Sequence, residues 1–171
     1  AISGLTAGTQ YRVFVRQNCG APGYSGNTVA VLFATPPPND LCASAIPLSC
    51  GGAPVTGSTL GATIDAVGTC GTALNTAGGV WYTIVGAGTD ITVNTCAGTT
   101  YDTKLGVFTG SCAGLTCVAG NDDFCGLQSQ VTFSTTLGTT YYILVTGFST
   151  NTGTFTLTYT CAPPVNDNCA S

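Results

Sequence analysis

Tyr141-Tyr142-Ile143-Leu144-Val145-Thr146 is a run of aromatic and branched apolar residues that follows the turn-forming Leu137-Gly138-Thr139. Aromatic and branched apolar residues favour strands, whereas glycine and threonine favour a turn. Further short apolar runs surround this one, separated by Gly, Thr, Asn and Ser, and none has the period of a helix. In chain order, all the runs are Gly57–Ile64, Val80–Val85, Ile91–Thr95, Lys104–Thr109, Thr116–Ala119, Gln130–Ser134, Tyr141–Thr146 and Thr154–Thr160. Strands at this spacing predict an all-β fold, an antiparallel β-sandwich of jelly-roll-like type. Trp81 and Tyr82 lie in a central run, where we expect them to pack in the core rather than stack on a sugar.

A nine-residue stretch occurs twice and indicates how the chain is divided. Pro36-Pro37-Pro38-Asn39-Asp40-Leu41-Cys42-Ala43-Ser44 returns as Pro163-Pro164-Val165-Asn166-Asp167-Asn168-Cys169-Ala170-Ser171, with seven of nine positions identical. Prolines cannot donate the hydrogen bonds of a strand ladder and favour an extended spacer. The repeat therefore predicts a tandem array, in which 36–38 is a linker, 39–162 is one sandwich unit and 163–171 is the linker and start of the next unit.

Residues 1–35 precede the first linker and have the alternation of strands. Apolar residues recur at every second position in 11–15 and again in 29–33, on either side of a glycine-containing turn. Leu5–Arg16, with Phe33–Thr35 as a closing strand, resembles the last part of a fibronectin type III domain. Two strands with one apolar face are not stable alone in water. We therefore expect upstream sequence or another molecule to complete them.

The composition narrows the classes of function. Only 6% of the residues are charged, the net charge is −4, and the chain contains no His and no Glu. Three cations are too few for a nucleic-acid partner, and no apolar run reaches the ~18 residues of a membrane helix. General acid–base catalysis is expected to be absent, because its usual residues are missing. A pair of carboxylates for sugar hydrolysis, Asp102 and Asp122, is the remaining enzymatic alternative, although no cleft-forming insertion accompanies it.

Ten cysteines indicate an oxidising, extracellular compartment. A zinc site is the competing interpretation, but the closest pair is Cys112-x4-Cys117 and no His is present to assist. An even number of cysteines inside the predicted sandwich unit can form disulfides within that unit. Cys19 and Cys169 would then belong to neighbouring units. The eight cysteines of the unit are Cys42, Cys50, Cys70, Cys96, Cys112, Cys117, Cys125 and Cys161.

Two features of these cysteines suggest particular pairs. Cys112 and Cys117 flank the turn of a predicted hairpin, so we expect them to form a local disulfide. Cys70, Cys96 and Cys125 fall on loops predicted to lie at one end of the sandwich, so we expect two of the three to pair there.

The same end of the sandwich collects most of the acidic residues of the unit. If Phe108 faces Thr116 in the hairpin, counting back places Asp102 opposite Asp122, about 5 Å away. Such carboxylates repel one another unless a cation lies between them. Oxygen ligands of this kind suit Ca²⁺. The predicted ligands are Asp65, Asp102, Asn121, Asp122 and Asp123. The alternative is that Asn-Asp-Asp is simply a turn sequence whose side chains cap backbone amides.

Four segments of the unit resemble the bacterial pre-peptidase C-terminal domain. They are Tyr101-Asp102-Thr103-Lys104-Leu105-Gly106-Val107-Phe108, Val118-Ala119-Gly120-Asn121-Asp122-Asp123, Thr139-Thr140-Tyr141-Tyr142-Ile143-Leu144-Val145 and Gly153-Thr154-Phe155-Thr156-Leu157. The resemblance implies a β-sandwich module of the kind appended to secreted enzymes and surface proteins. The cysteines are additional to the family's pattern.

Two functions follow from these observations. The first is a non-catalytic extracellular structural repeat of a surface fibre, filament or adhesin, whose partners are other copies or neighbouring repeats joined by strand pairing through residues 1–35. The second is a carbohydrate- or protein-binding accessory module of a secreted enzyme. For the second function the candidate aromatic contacts with a polysaccharide are Tyr24, Tyr101 and Phe124.

Overall fold

The structure, a computed structural model, describes residues 2–19 and 23–163. Strands and one short 3-10 turn, Cys42–Ser44, are the regular elements of these ranges, and they include no α-helix. None of their helical segments is long or apolar enough to cross a membrane. The strands in chain order are β1 (Gln10–Val13), β2 (Val31–Ala34), β3 (Ile46–Leu48), β4 (Val55–Ser58), β5 (Thr69–Cys70), β6 (Thr72–Ala73), β7 (Val80–Val85), β8 (Asp90–Asn94), β9 (Thr103–Ser111), β10 (Gly114–Asn121), β11 (Gln130–Ser134), β12 (Thr140–Gly147) and β13 (Thr154–Cys161).

Two sheets built after residue 45 form a sandwich. One has five strands in the order β10-β9-β12-β7-β3, and the other has four in the order β11-β8-β13-β4. Neighbouring strands are antiparallel except for β3 and β7, which are parallel. From β7 onward the chain alternates between the sheets, except at the β9–β10 hairpin, which stays within the five-stranded sheet. The predicted all-β sandwich is confirmed.

The sheets share one apolar core because alternate residues of each strand point inward. Tyr82 on β7 and Phe155 on β13 meet across it with ring centroids 6.3 Å apart. The buried residues of this core are Leu48, Val80, Tyr82, Ile84, Ile91, Val93, Leu105, Val107, Val131, Phe133, Tyr141, Ile143, Val145, Phe155, Leu157 and Tyr159. Both sheets contribute to this set, so the sandwich is a single packed unit.

The outer face of the five-stranded sheet is covered as well. Trp81, Phe108 and Leu144 point away from the main core and form a second buried cluster with Cys70 and Leu74. The rings of Trp81 and Phe108 are 5.9 Å apart. Because Trp81 and Tyr82 are each 1% exposed, the expectation that both pack in the interior is confirmed. Trp81 and Tyr82 lie on opposite faces of one strand, which explains why both are buried.

Four disulfides link the eight cysteines of residues 42–161, as the cysteine count predicted. They are Cys42–Cys112, Cys50–Cys161, Cys70–Cys117 and Cys96–Cys125. The expected pairing among Cys70, Cys96 and Cys125 is therefore found between the last two. Cys19 is exposed and unpaired among the described residues, while Cys169 lies outside them.

The predicted Cys112–Cys117 disulfide is wrong. Cys112 lies in the two-residue turn after Ser111, whereas Cys117 is the fourth residue of β10 and pairs with Phe108. Cys117 lies three residues along β10 from its first residue, which places their Cα atoms about 10 Å apart. A disulfide spans no more than ~7 Å between Cα atoms, so Cys117 is too far along the strand to reach the turn. Cys112 instead bridges to the 3-10 turn and Cys117 to β5.

In the first part of the sandwich, one strand prediction needs correction and strand β3 was not predicted. The run Gly57–Ile64 was expected to be one strand, but β4 covers only Val55–Ser58 and the chain then turns away. Strand β3 lacks the apolar alternation and was not predicted. Its pairing with β7 depends on a parallel contact across the sheet, which a local pattern does not indicate.

The N-terminal segment forms a separate two-stranded sheet, β1–β2, in antiparallel register with Tyr11 opposite Phe33. These rings stack at 5.7 Å. Gly8 N–H hydrogen-bonds to the carbonyls of Thr35 and Pro36, which ties the start of this segment to the linker. The predicted strands are present, and the likeness to fibronectin type III stays a prediction.

Candidate functional site

Three carboxylates meet where β9 begins and β10 ends. Asp102 immediately precedes β9, and Asp122 and Asp123 follow β10, so the hairpin brings them to the same edge of the sandwich. One carboxylate oxygen from each of the three lies within 4.8 Å of the others. Asp102 and Asp122 are partly buried, and Asp123 is exposed.

The hairpin register differs from the predicted one. Phe108 faces Cys117 rather than Thr116, and a β-bulge between Cys117 and Ala119 shifts the pairing once more. Asn121 consequently pairs with Leu105, so Asp122 comes level with Lys104 instead of Asp102. A bulge adds one unpaired residue to a strand, and the apolar pattern of the sequence does not reveal it.

Lys104 supplies the positive charge of this cluster. It is 4% exposed, and its Nζ lies 3.2 Å from Asp122 Oδ2. The same Nζ donates to Thr72 Oγ1 at 3.3 Å and to the Ala73 carbonyl at 3.2 Å. The ring of Phe148 lies 4.7 Å from it. Sequence reasoning identified the crowded carboxylates but assigned their neutralisation to a metal ion. The available signal was that Lys104 is the only cation between residues 36 and 163.

Hydrogen bonds hold the backbone of the cluster in place. Ser129, which is fully buried, donates its hydroxyl to the carbonyls of Thr103 and Asp122. Asn121, a predicted ligand, uses its Oδ1 to accept from the Gln130 N–H at 3.3 Å. Asn121 therefore supports the start of β11, and its predicted role as a ligand stays a prediction.

The cluster is electrostatically unbalanced. The pKa of Asp102 is raised from its ordinary value, first by burial and then by the negative charges of Asp122 and Asp123, while Lys104 opposes the rise. Asp102 Oδ1 and Asp122 Oδ1 are buried and accept no hydrogen bond from the described residues. Unsatisfied carboxylate oxygens beside a third carboxylate are a donor set that fits a hard cation such as Ca²⁺.

Asp65 does not join this cluster. Its Oδ1 accepts from Trp81 Nε1 at 2.8 Å, and it lines a cavity of about 270 Å³ beside the Cys42–Cys112 disulfide. Burial, together with the charge of Asp40, raises the pKa of Asp65 to about 6, although the Trp81 hydrogen bond lowers it. Residue 65 reaches the sandwich through a long loop, and a loop's course cannot be read from the alternation of neighbouring strands.

The aromatic contact residues separate into two kinds. Tyr101 was expected to be accessible, but it packs against the main core, its hydroxyl hydrogen-bonds with Thr59 Oγ1 at 3.2 Å, and burial raises its pKa to about 12. Its ring is therefore partly covered, and its predicted contact with a ligand stays a prediction. Tyr24 and Phe124 are exposed, at 66% and 61%, and they are not part of one described pocket.

Comparisons with known proteins add a likeness to a solved structure. No family model matches the chain, and no curated protein matches it. Among solved structures, the chain is similar to the pre-peptidase C-terminal domain of a collagenase from Bacillus anthracis, with 18% identity, a TM-score of 0.43, and 67% of this chain and 93% of that chain covered. A likeness of this strength transfers no function or residue role, so the family resemblance of residues 101–157 stays a prediction.

The fold and the candidate site together define the structural class of the chain. The chain contains a disulfide-linked, two-sheet β-sandwich with a carboxylate–lysine cluster at one edge.

Proposed function

We propose that this chain is a non-catalytic structural module of an extracellular fibre, filament or adhesin, in which copies are joined through residues 1–35. The observation that carries the proposal is the apolar surface of β1–β2 and its flanks. Phe14, Val15, Val31 and Leu32 are each about half exposed or more, and Val29 is 91% exposed. Val31 and Leu32 lie on opposite faces of β2, so both faces of the sheet expose apolar side chains. Exposed apolar surface on this scale marks interaction sites.

Strand edges support pairing as the mode of contact. β1 and β2 pair with each other and with no other strand of the described residues. The outer edge of each strand thus offers backbone N–H and C=O groups that a strand from another molecule can bind. A two-stranded sheet is marginal in water by itself, so such pairing would stabilise it.

Charge supports a second copy of the same chain as the occupant. Residues 1–35 contain Arg12 and Arg16 and no acidic residue. Residues 36–163 contain six aspartates and one lysine, a net charge of −5. The cationic, apolar sheet of one copy is therefore complementary to the anionic sandwich of the next, and such complementarity steers association.

Disulfides support the extracellular setting. Four of them link the sandwich across sequence separations of 29 to 111 residues, and disulfides persist in oxidising compartments. A disulfide-linked sandwich suits a module that must stay folded outside the cell.

The test is self-association of the 171-residue chain. Sedimentation velocity across a concentration series, followed by electron microscopy, should detect oligomers or fibres. Val31→Asp introduces a negative charge into the apolar surface and should abolish association. Leu137→Asp is the matched control, because Leu137 is a 77% exposed residue of the sandwich and the same substitution there should leave association intact.

Three results would overturn the proposal: a wild-type chain that remains monomeric at every concentration, a Val31→Asp chain that associates normally, or a monomer that co-sediments with insoluble polysaccharide. The last result would favour the accessory binding module instead.

Calcium binding at Asp102, Asp122 and Asp123 is the second part of the proposal. The two unsatisfied oxygens of Asp102 and Asp122 support it. The Lys104 ammonium neutralises part of the negative charge, so we expect weak affinity, in the range of extracellular modules at about 10⁻⁴–10⁻³ M.

A further inference from the structure

Lys104 is the only lysine of the chain, and it is enclosed against a carboxyl group. Its side chain is 5% exposed and that of Asp122 is 26% exposed, with Nζ 3.2 Å from Oδ2. Thr72 and Ala73 hold the nitrogen from one side, and the Phe148 ring lies over it. The amine and the carboxyl group are thus held in contact by elements from four parts of the chain.

We propose that Lys104 and Asp122 condense into an intramolecular amide, an isopeptide bond that joins the start of β9 to the residue after β10. This inference concerns a covalent modification within one chain and does not depend on the proposed self-association. It does change the proposed calcium site, because the amide replaces the Asp122 carboxylate and the Lys104 ammonium and leaves Asp102, Asp123 and the amide oxygen as the oxygen donors.

The reaction balances without any co-reactant. The Lys104 ammonium gives one proton to the Asp122 carboxylate, which leaves a neutral amine and a carboxylic acid. The Lys104 nitrogen then attacks the Asp122 carboxyl carbon, a C–N bond forms, and the bond to one carboxyl oxygen breaks. That oxygen leaves as water, with one proton from the acid and one from the amine. Asp102 has a carboxylate oxygen within 4.8 Å of the Asp122 carboxylate and is the group placed to carry the second proton.

Two physical effects favour condensation here over the same reaction in solution. Holding the reacting groups together replaces a bimolecular encounter, an advantage that reaches effective concentrations of about 10⁵–10⁸ M in well-oriented cases. The Lys104 side chain is only 5% exposed, and burial of this kind disfavours the charged amine. The product is a neutral amide whose carbonyl oxygen remains available as a ligand.

The competing explanation is an ordinary buried ion pair, and mass spectrometry separates the two. The intact mass of the purified chain, reduced and alkylated, should be lower than the sequence mass by one water molecule. A tryptic digest should lack cleavage after Lys104, and an amine-reactive reagent should fail to label Lys104 in the denatured chain. A single lysine makes this labelling unambiguous.

Variants give the matched controls. Lys104→Arg keeps a cation that can donate to Asp122 but does not condense, and Asp122→Ala leaves the lysine amine free, so both should have the full sequence mass. Asp102→Asn should slow the loss of water during maturation after refolding. A wild-type chain at full sequence mass, with Lys104 cleaved by trypsin and labelled, overturns the proposal whether or not the variants fold.

Discussion

The sandwich and the β1–β2 sheet are made of similar residues but differ in what covers them. In the sandwich, residues such as Phe155 and Leu157 are 1% and 0% exposed because a second sheet packs on the first. In the N-terminal sheet, Val31 and Leu32 lie on opposite faces of β2, and they are 62% and 54% exposed. Alternating apolar residues therefore make a strand, and only a second layer makes a core. The following experiments test this contrast.

The largest expected difference is between two phenylalanines. Phe155→Ala removes a buried ring packed on Tyr82 and should lower the free energy of unfolding by about 3–5 kcal/mol. Phe14→Ala removes a half-exposed ring near β1 and should change it by no more than about 0.5 kcal/mol. Urea unfolding followed by the fluorescence of Trp81 measures both. Equal losses would show that the contrast between the regions is wrong.

Disulfide removal should give the next largest effect. The Cys50→Ser/Cys161→Ser double variant removes a disulfide that closes a loop of 111 residues. The Cys96→Ser/Cys125→Ser variant removes one that closes a loop of 29 residues. Each should cost about 2–5 kcal/mol, with the larger loss for the longer closure, because more chain entropy is released in the unfolded state. Thermal unfolding of the two variants side by side checks the order. The reverse order would indicate that local strain, not closure length, dominates.

Calcium should stabilise the sandwich and leave the N-terminal sheet unaffected. At a Ca²⁺ concentration of 100 times the dissociation constant, we expect about 2.7 kcal/mol of stabilisation. Scanning calorimetry with Ca²⁺ and with a chelator measures it. Asp123→Asn should abolish the response, whereas Asp65→Asn, which removes a charge outside the cluster, should retain it. A midpoint that the chelator does not change would rule out the site.

The smallest effect concerns the pH dependence of stability. Burial raises the pKa of Asp65 to about 6 from an ordinary 3.8, so the folded state binds this proton more tightly than the unfolded state. The stabilisation from that proton is full below about pH 4 and is lost as pH rises to about 6. Asp65→Asn keeps an acceptor for Trp81 Nε1 and should exceed the wild type in stability at pH 7 by about 1 kcal/mol, a value reduced for its partial exposure.

The measurement is urea unfolding at pH 4 and at pH 7. The advantage of Asp65→Asn should shrink at the lower pH. The exposed Asp90→Asn variant, which removes the same charge from β8, is the comparison. A stability advantage of Asp65→Asn that is the same at both pH values would contradict a raised pKa of Asp65 in the folded state.

Local patterns predicted most of the strands because their signal is local. The run Val80–Val85 and the run Gln130–Ser134 coincide with β7 and β11, since apolar alternation and flanking turn residues lie within a few positions of each other. Strand β3 was not predicted, because its partner strand, β7, is more than 30 residues away in the sequence.

The candidate site was predicted in part for the same reason. Asp102, Asp122 and Asp123 meet because one hairpin joins them, and hairpins are visible in sequence. The place of Lys104 opposite Asp122 depended on a bulge. The positions of Asp65 and Tyr101 depended on loop paths and on packing against strands far away in the chain.

The sequence by itself determined the strand-rich fold class, the internal pairing of eight cysteines and the gathering of three aspartates, because each follows from composition or from short-range periodicity. The tertiary structure alone decided which cysteines bond, which charge faces Asp122 and which aromatic rings are covered. Those outcomes depend on contacts between different strands and loops, up to 111 positions apart in the disulfides. Side-chain periodicity along one strand contains no information about such contacts.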